Sequence, residues 1–221
     1  MTRRSPNSRK PGATPPGRLR IVAGKWRGRF LPVSGVQELR PTAERIRETL
    51  FNWLAPQIEG ARCLDLFAGT GALGLEALSR GAAEAVLVER SVAAVDALRR
   101  TIDELKATSA TLIAGDALDY LRHAEPERMD IVFLDPPFAD RSLESLCALL
   151  DSRQWLAPRA SVYLEQDSRQ PVPGLPRGWT VRREKKAGNV RYLLADTPAT
   201  GSHPVTGASR MSARDEEQEA S

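Results

Sequence analysis

From residue 61 onward the chain alternates short apolar runs with amphipathic stretches of helical period, and this alternation limits its fold more than any other feature. Strands are expected at Arg62 to Phe67, Ala85 to Glu89, Ala110 to Ala114, a run ending at Asp135, and Ser161 to Gln166. Between them Ala72 to Arg80, Ser91 to Lys106, Ala117 to His123 and Ser142 to Ser152 read as helices. The second of these sets Val92, Val95, Leu98, Ile102 and Leu105 on one face. Strand-helix repetition forces crossover connections, so the chain should be α/β with a doubly wound, mostly parallel sheet. The rhythm breaks near the end, where Thr180 to Glu184 and Asn189 to Ala195 flank Lys185-Lys186-Ala187-Gly188. That pattern predicts an antiparallel hairpin on the sheet edge.

The segments outside the repeat differ in composition. Residues 1 to 17 mix Arg, Ser, Pro and Gly with almost nothing apolar, and beyond residue 196 the chain turns polar and acidic; both are expected to be disordered tails. Residues 18 to 56 read as an N-terminal extension, and 57 to 196 as the main domain. In the extension, Leu19 to Gly24 and Arg29 to Val33 look like two short strands around Lys25-Trp26-Arg27-Gly28. Thr42 is placed to cap a helix carrying Ile46, Leu50, Trp53 and Leu54 on an apolar stripe, with Arg45 and Arg47 on a cationic edge. Residues 1 to 60 hold twelve Arg or Lys against four Glu, a charge of +8 in a chain of net charge +4, so the remainder carries about −4. A cationic front on a near-neutral body points to an anionic partner, with nucleic acid first. Lys25, Arg27, Arg29, Arg40, Arg45 and Arg47 would meet phosphates, and Trp26 would offer its indole to a base or else cover the main core.

Two stretches carry the chemistry. Asp65-Leu66-Phe67-Ala68-Gly69-Thr70-Gly71-Ala72-Leu73-Gly74 sets G-x-G-x-x-G between an expected strand and helix, where glycines let a nucleotide-like ligand approach backbone N–H groups. That fingerprint also fits NAD, with Glu89 twenty residues after Gly69 as a ribose ligand. Asp65 argues against a pyrophosphate at this turn and is compatible with a cationic methionine moiety. The second stretch, Asp130-Ile131-Val132-Phe133-Leu134-Asp135-Pro136-Pro137-Phe138, reads as a buried strand stopped by two prolines. It leaves Asp135 at a strand end, although Asp before Pro is also ordinary turn chemistry.

The first stretch resembles the opening motif of class I S-adenosylmethionine-dependent methyltransferases, whose fold is Rossmann-like. Asp135-Pro136-Pro137-Phe138 resembles the D/N/S-P-P-Y/F/W signature of members that methylate exocyclic amines of bases. Arg20-Ile21-Val22-Ala23-Gly24, Trp26-Arg27-Gly28-Arg29, Leu39-Arg40-Pro41-Thr42, the run Arg45 to Leu54, and Arg183-Glu184-Lys185 with Ala187-Gly188 are similar to the RsmD family of bacterial 16S ribosomal RNA guanine-N2 methyltransferases. The resemblance spans about residues 19 to 195. It implies that Asp65, Phe67, Gly69 and Gly71 surround the methionine part of S-adenosylmethionine, that Glu89 binds its ribose, and that Asp116 and Ala117 meet its adenine. It further implies that Asp135, Pro136, Pro137 and Phe138 hold the target base, and that the partner is 16S rRNA in a small-subunit assembly. One departure is Ser91, where such enzymes often carry Asp after Glu89-x; Ser91 is left as a helix cap.

Other classes are constrained by what the chain lacks. Cys63 and Cys147 lie apart in apolar settings and read as buried free thiols, and two histidines give no metal-ligand spacing. No run of about 18 apolar residues exists, so a cytoplasmic protein acting away from membranes is expected; a monomer without metal is expected beside it, and the Arg-rich start also has the look of a transit peptide. The competing readings are a DNA adenine-N6 methyltransferase, an NAD-dependent dehydrogenase and a non-catalytic RNA-binding protein.

Overall fold

The computed structural model describes residues 18–32, 41–138 and 142–199. Its elements in chain order are β1 (Arg18–Arg20), β2 (Phe30–Pro32), α1 (Pro41–Leu54), β3 (Arg62–Asp65), α2 (Gly74–Ser79), β4 (Glu84–Glu89), α3 (Val92–Leu105), β5 (Ala110–Ala114), α4 (Ala117–His123), β6 (Met129–Leu134), α5 (Leu143–Ser152), β7 (Leu156–Asp167), β8 (Thr180–Ala187) and β9 (Val190–Asp196). Seven strands form one sheet in the order β5-β4-β3-β6-β7-β9-β8, and β1 pairs with β2 separately. β3 to β7 run parallel, while β9 is antiparallel to both β7 and β8.

Side-chain alternation on fully buried strands explains why both faces of the sheet are covered. Cys63, Ile131, Phe133 and Tyr163 belong to the core on one face. Leu64, Val132, Leu134, Val162 and Leu164 belong to the core on the other, packed with Leu146, Cys147 and Leu150 of α5. Burial of both cysteines pushes their thiols up, so neither is a ready nucleophile.

The strand order reverses between β3 and β6, the pair with neighbours leading away on either side. In open α/β sheets this switch point opens a crevice beyond the carboxyl ends of the strands. Asp65 ends β3 and Asp135 follows β6, so both acids stand at its mouth.

The N-terminal segment is not a separate unit. Leu19, Ile21, Trp26, Leu31, Ile46, Leu50, Phe51 and Leu54 share one core with the sheet face of Cys63 and Phe133. The seat is α2: the fully buried Glu76 carboxylate accepts from Val22 N–H (2.8 Å), Ala23 N–H (3.1 Å) and Arg80 Nε (2.7 Å). Ser79 Oγ accepts from Trp26 N–H at 2.9 Å and donates to the Ala23 carbonyl at 2.6 Å. Close approach at this point requires a glycine, because a Cβ on Gly24 would sit 1.7 Å from the Ser79 carbonyl oxygen.

Several boundaries differ from the expectation. Helix α1 begins at Pro41, a residue suited to the first helical position, so Thr42 lies inside the helix and not at its cap. Helix α2 starts only at Gly74, since residues before it form the glycine turn. The hairpin strands β8 and β9 run on to a two-residue turn at Gly188-Asn189, with Gly188 at φ +60°, so Lys185 and Lys186 are strand and not turn residues. Ser91 does cap α3, accepting from Ala94 N–H at 3.4 Å. The expected tails at 1 to 17 and from 200 onward lie outside the described residues.

Candidate active site

The glycine turn after β3 is built around Asp65. Its carboxylate is 1% exposed and accepts from Gly74 N–H (3.0 Å) and Phe67 N–H (3.4 Å). Burial, with the Glu89 charge adding, pushes this carboxyl up to about 7 against those two bonds. Asp65 therefore holds the loop, its two oxygens accepting from backbone N–H groups of that loop. Gly71, at φ +79°, leaves no room for a side chain, since a Cβ would lie 2.7 Å from Leu75 and Leu98 carbons. Gly69 N–H is held by Glu89 Oε2 at 2.8 Å, while Glu89 Oε1 accepts from Ser91 N–H at 2.7 Å. The turn is thus tied to the end of β4, and Glu89 retains lone pairs for a ribose. Phe67 is half-buried beside this turn.

At the end of β5, Asp116 caps α4, its Oδ1 accepting from Leu118 N–H (2.9 Å) and Asp119 N–H (3.3 Å). The other oxygen lies 4.0 Å from Arg90. Ala117 follows, buried. A flat, donor-bearing ring would find Asp116 Oδ2 and the Ala117 N–H at one edge and the Glu89 carboxylate one strand away. These features fit a nucleoside-bearing cofactor: a glycine turn with Gly69 and Gly71 at positive φ, an acid at the β4 end and an acceptor at the β5 end.

Asp135 comes next to this cradle. Pro136 is buried behind it, Pro137 is exposed, and the Phe138 ring is 39% exposed at the crevice. The Phe138 carbonyl accepts from Gln170 Nε2 at 3.2 Å, which anchors the turn to the loop after β7. Burial pushes Asp135 well above the usual carboxylate range, with the Glu165 and Asp65 charges acting in the same direction. Glu165 was not singled out in the sequence; the β6–β7 register sets Leu134 beside Leu164, which brings the next residues, Asp135 and Glu165, together. Glu165 accepts a 2.6 Å hydrogen bond from Tyr163 Oη. Only alternation within a correctly paired β7 could have exposed it, and one strand's sequence does not contain its neighbour's register.

The cationic front divides. Lys25, Arg27, Arg29 and Arg45 are exposed as expected. Trp26 is 9% exposed and part of the core, so the exposed ring of this hairpin is Phe30, at 42%. Arg47 is 6% exposed, donates to the Arg20 carbonyl at 3.2 Å, and cannot meet a phosphate in this conformation. Arg40 lies outside the described residues. Lys25 N–H bonds the Ser79 carbonyl at the far end of α2 from the glycine turn, so the Lys25 to Arg29 cluster sits away from Asp135. Other cations flank the crevice: Lys185 pairs in register with Tyr192, which pairs with Glu165, and Lys185 Nζ lies 5.9 Å from the Trp53 ring. Lys186 is exposed beside it.

Among the described residues no helix is long and apolar enough to cross a membrane, and no three His, Cys, Asp or Glu side chains converge as metal ligands. The chain is 46% identical over 193 residues to ribosomal RNA small subunit methyltransferase D of Escherichia coli K12, covering 87% of this chain and 97% of that protein. The protein of the same name from Haemophilus influenzae is 43% identical over 181 residues, covering 80% and 93%. The solved structure of yhhF from Escherichia coli superposes with a TM-score of 0.78 at 44% identity, covering 83% of this chain and all of that one. Residues 19–196 match the family described as conserved hypothetical protein 95, and the chain belongs to that family, together with the ribosomal RNA small subunit methyltransferase D proteins.

Proposed function

We propose that this protein transfers a methyl group from S-adenosylmethionine to the N2 amine of a guanine in 16S rRNA, acting as a monomer on the assembling small subunit. Family membership makes the chain an S-adenosylmethionine-dependent ribosomal RNA methyltransferase; the base, the atom and the state of the RNA are the proposed part. The observation that carries the reading is Asp135 at the switch-point crevice, one strand from the glycine turn, followed by Pro136-Pro137 and an exposed ring.

The bound cofactor supplies an electrophilic methyl on a positively charged sulfur. Gly69 and Gly71 give its methionine part access to the backbone, Phe67 lies alongside, Glu89 accepts from ribose hydroxyls, and Asp116 with the Ala117 N–H meets the adenine edge. Asp65 keeps the turn in shape. An exocyclic amine is a poor nucleophile because its lone pair is delocalised into the ring. Acceptors that hold its N–H groups favour a more tetrahedral nitrogen, and the Asp135 carboxylate and Pro136 carbonyl are suited to that. Pro137 stiffens the turn and Phe138 stacks on the base, which must leave its helix at a cost of a few kcal/mol. Alignment of amine and methyl can supply about 7–11 kcal/mol of the barrier, with no covalent enzyme intermediate needed.

Lys25, Arg27, Arg29 and Arg45 offer phosphate contacts whose binding energy offsets base extrusion. Incubating small subunits with the enzyme and labelled S-adenosylmethionine, then digesting the RNA to nucleosides, tests the reading. N2-methylguanosine is expected; N6-methyladenosine as the product would replace the proposal with the adenine alternative.

A further inference from the structure

Two acids meet at the crevice where the reaction needs one. Leu134 of β6 stands beside Leu164 of β7, and Phe133 beside Tyr163 with ring centroids 6.5 Å apart, so Asp135 and Glu165 emerge adjacent on the same face. Tyr163 is fully buried, and its hydroxyl donates to Glu165 Oε2 at 2.6 Å; among the described residues Oε1 has no hydrogen-bond donor. On its far side Glu165 pairs with Tyr192, whose ring stacks on Trp53 at 5.5 Å. Among the described residues no Lys or Arg forms an ion pair with either acid, and no hydrogen bond ends on the Asp135 carboxylate. Two neighbouring carboxylates repel, which a proton held on one of them or a ligand that brings donors to both relieves.

The Watson–Crick edge of guanine does so, presenting the N1–H beside the N2 amine. Adenine and cytosine each set an acceptor ring nitrogen beside their amine, which would oppose a second carboxylate. We infer that Glu165 accepts the N1–H of the target guanine while Asp135 holds its N2 amine, with Tyr163 as the positioning residue that aims Glu165, so that this acid pair selects guanine over adenine. The inference rests on the function proposed above and adds the group that enforces it.

The test replaces the guanine that the wild-type enzyme methylates, in reconstituted small subunits, by 2,6-diaminopurine, which keeps the N2 amine but turns N1 into an acceptor. The wild-type enzyme should lose about 10- to 100-fold in kcat/KM on this substrate, the range expected for one good base-edge contact. In Glu165→Gln the Tyr163 hydroxyl holds the amide oxygen and leaves the NH2 toward the base. That variant should lose a similar factor on guanine and shift its guanine-to-diaminopurine preference toward diaminopurine. Tyr163→Phe should weaken the preference without reversing it. Calorimetry should find S-adenosylmethionine affinity unchanged in Glu165→Gln, which verifies the fold. A wild-type preference retained in Glu165→Gln overturns the inference and leaves the proposed function standing. Absence of N2-methylguanosine from the wild-type reaction overturns both.

Discussion

Replacing Gly24 by alanine tests whether the N-terminal hairpin is seated on α2 as part of the core. Gly24 has φ +81°, and an added Cβ would lie 1.7 Å from the Ser79 carbonyl oxygen. The left-handed backbone alone costs an alanine roughly 1–2 kcal/mol. The overlap is with backbone, so no rotamer change relieves it and the turn must lift. That breaks Lys25 N–H to Ser79 carbonyl (2.6 Å) and Trp26 N–H to Ser79 Oγ (2.9 Å). At about 0.5–1.5 kcal/mol for each bond, the total comes to roughly 2–5 kcal/mol. Gly28 is the internal control: its φ is +84°, but nothing lies within 4 Å of an added Cβ. Gly28→Ala should therefore cost only the backbone term, roughly 1–2 kcal/mol. Urea unfolding of the full chain, followed by tryptophan fluorescence, reads both. Equal destabilisation by the two substitutions would refute the seating.

Trp26→Ala removes a core side chain and should cost about 3–5 kcal/mol in the same unfolding assay, far above an exposed stacking residue. Lys185→Ala with Lys186→Ala should weaken RNA binding and lower the salt slope by about 0.7–0.9 per lost phosphate contact, read by titration at several salt concentrations; an unchanged slope would remove the β8 edge from the interface. The apo protein should unfold at higher temperature at pH 6 than at pH 8. Burial raises the folded-state carboxyl of Asp65 to about 7, and that of Asp135 also upward. Both bind protons more tightly folded than unfolded, so this contribution is full below the unfolded value of about 3.9 and is lost as pH rises through about 7. A thermal midpoint that is flat or falls from pH 8 to pH 6 would contradict that sign.

The parallel sheet, the edge hairpin and the positions of Asp135, Glu89 and the glycine turn were legible because each depends on local pattern: apolar runs, Pro-Pro stops, and glycines where the backbone must turn. Trp26 takes the core place of the two its sequence allows, and Arg47 is buried where a cationic edge is expected, for one shared reason. Charge and aromatic content describe a segment, whereas burial depends on what packs against it, here α2 through Glu76 and Ser79. Asp65 was found as an acid at the right place, but its partners are backbone N–H groups of its own loop, visible only once that loop is folded. Glu165 and Lys185 owe their places beside the crevice to strand register, a relation between segments far apart in the chain.

Single-turnover transfer to small subunits by Asp135→Ala measures most directly whether Asp135 holds the amine during methyl transfer. With the cofactor and RNA saturating, the rate should fall by about 10²–10³-fold, the usual cost of removing one preorganised polar group from a reacting centre. Calorimetry should find S-adenosylmethionine affinity unchanged, because Glu89, Asp116 and the glycine turn are intact. Near-normal transfer by Asp135→Ala, with that affinity preserved, would contradict the account.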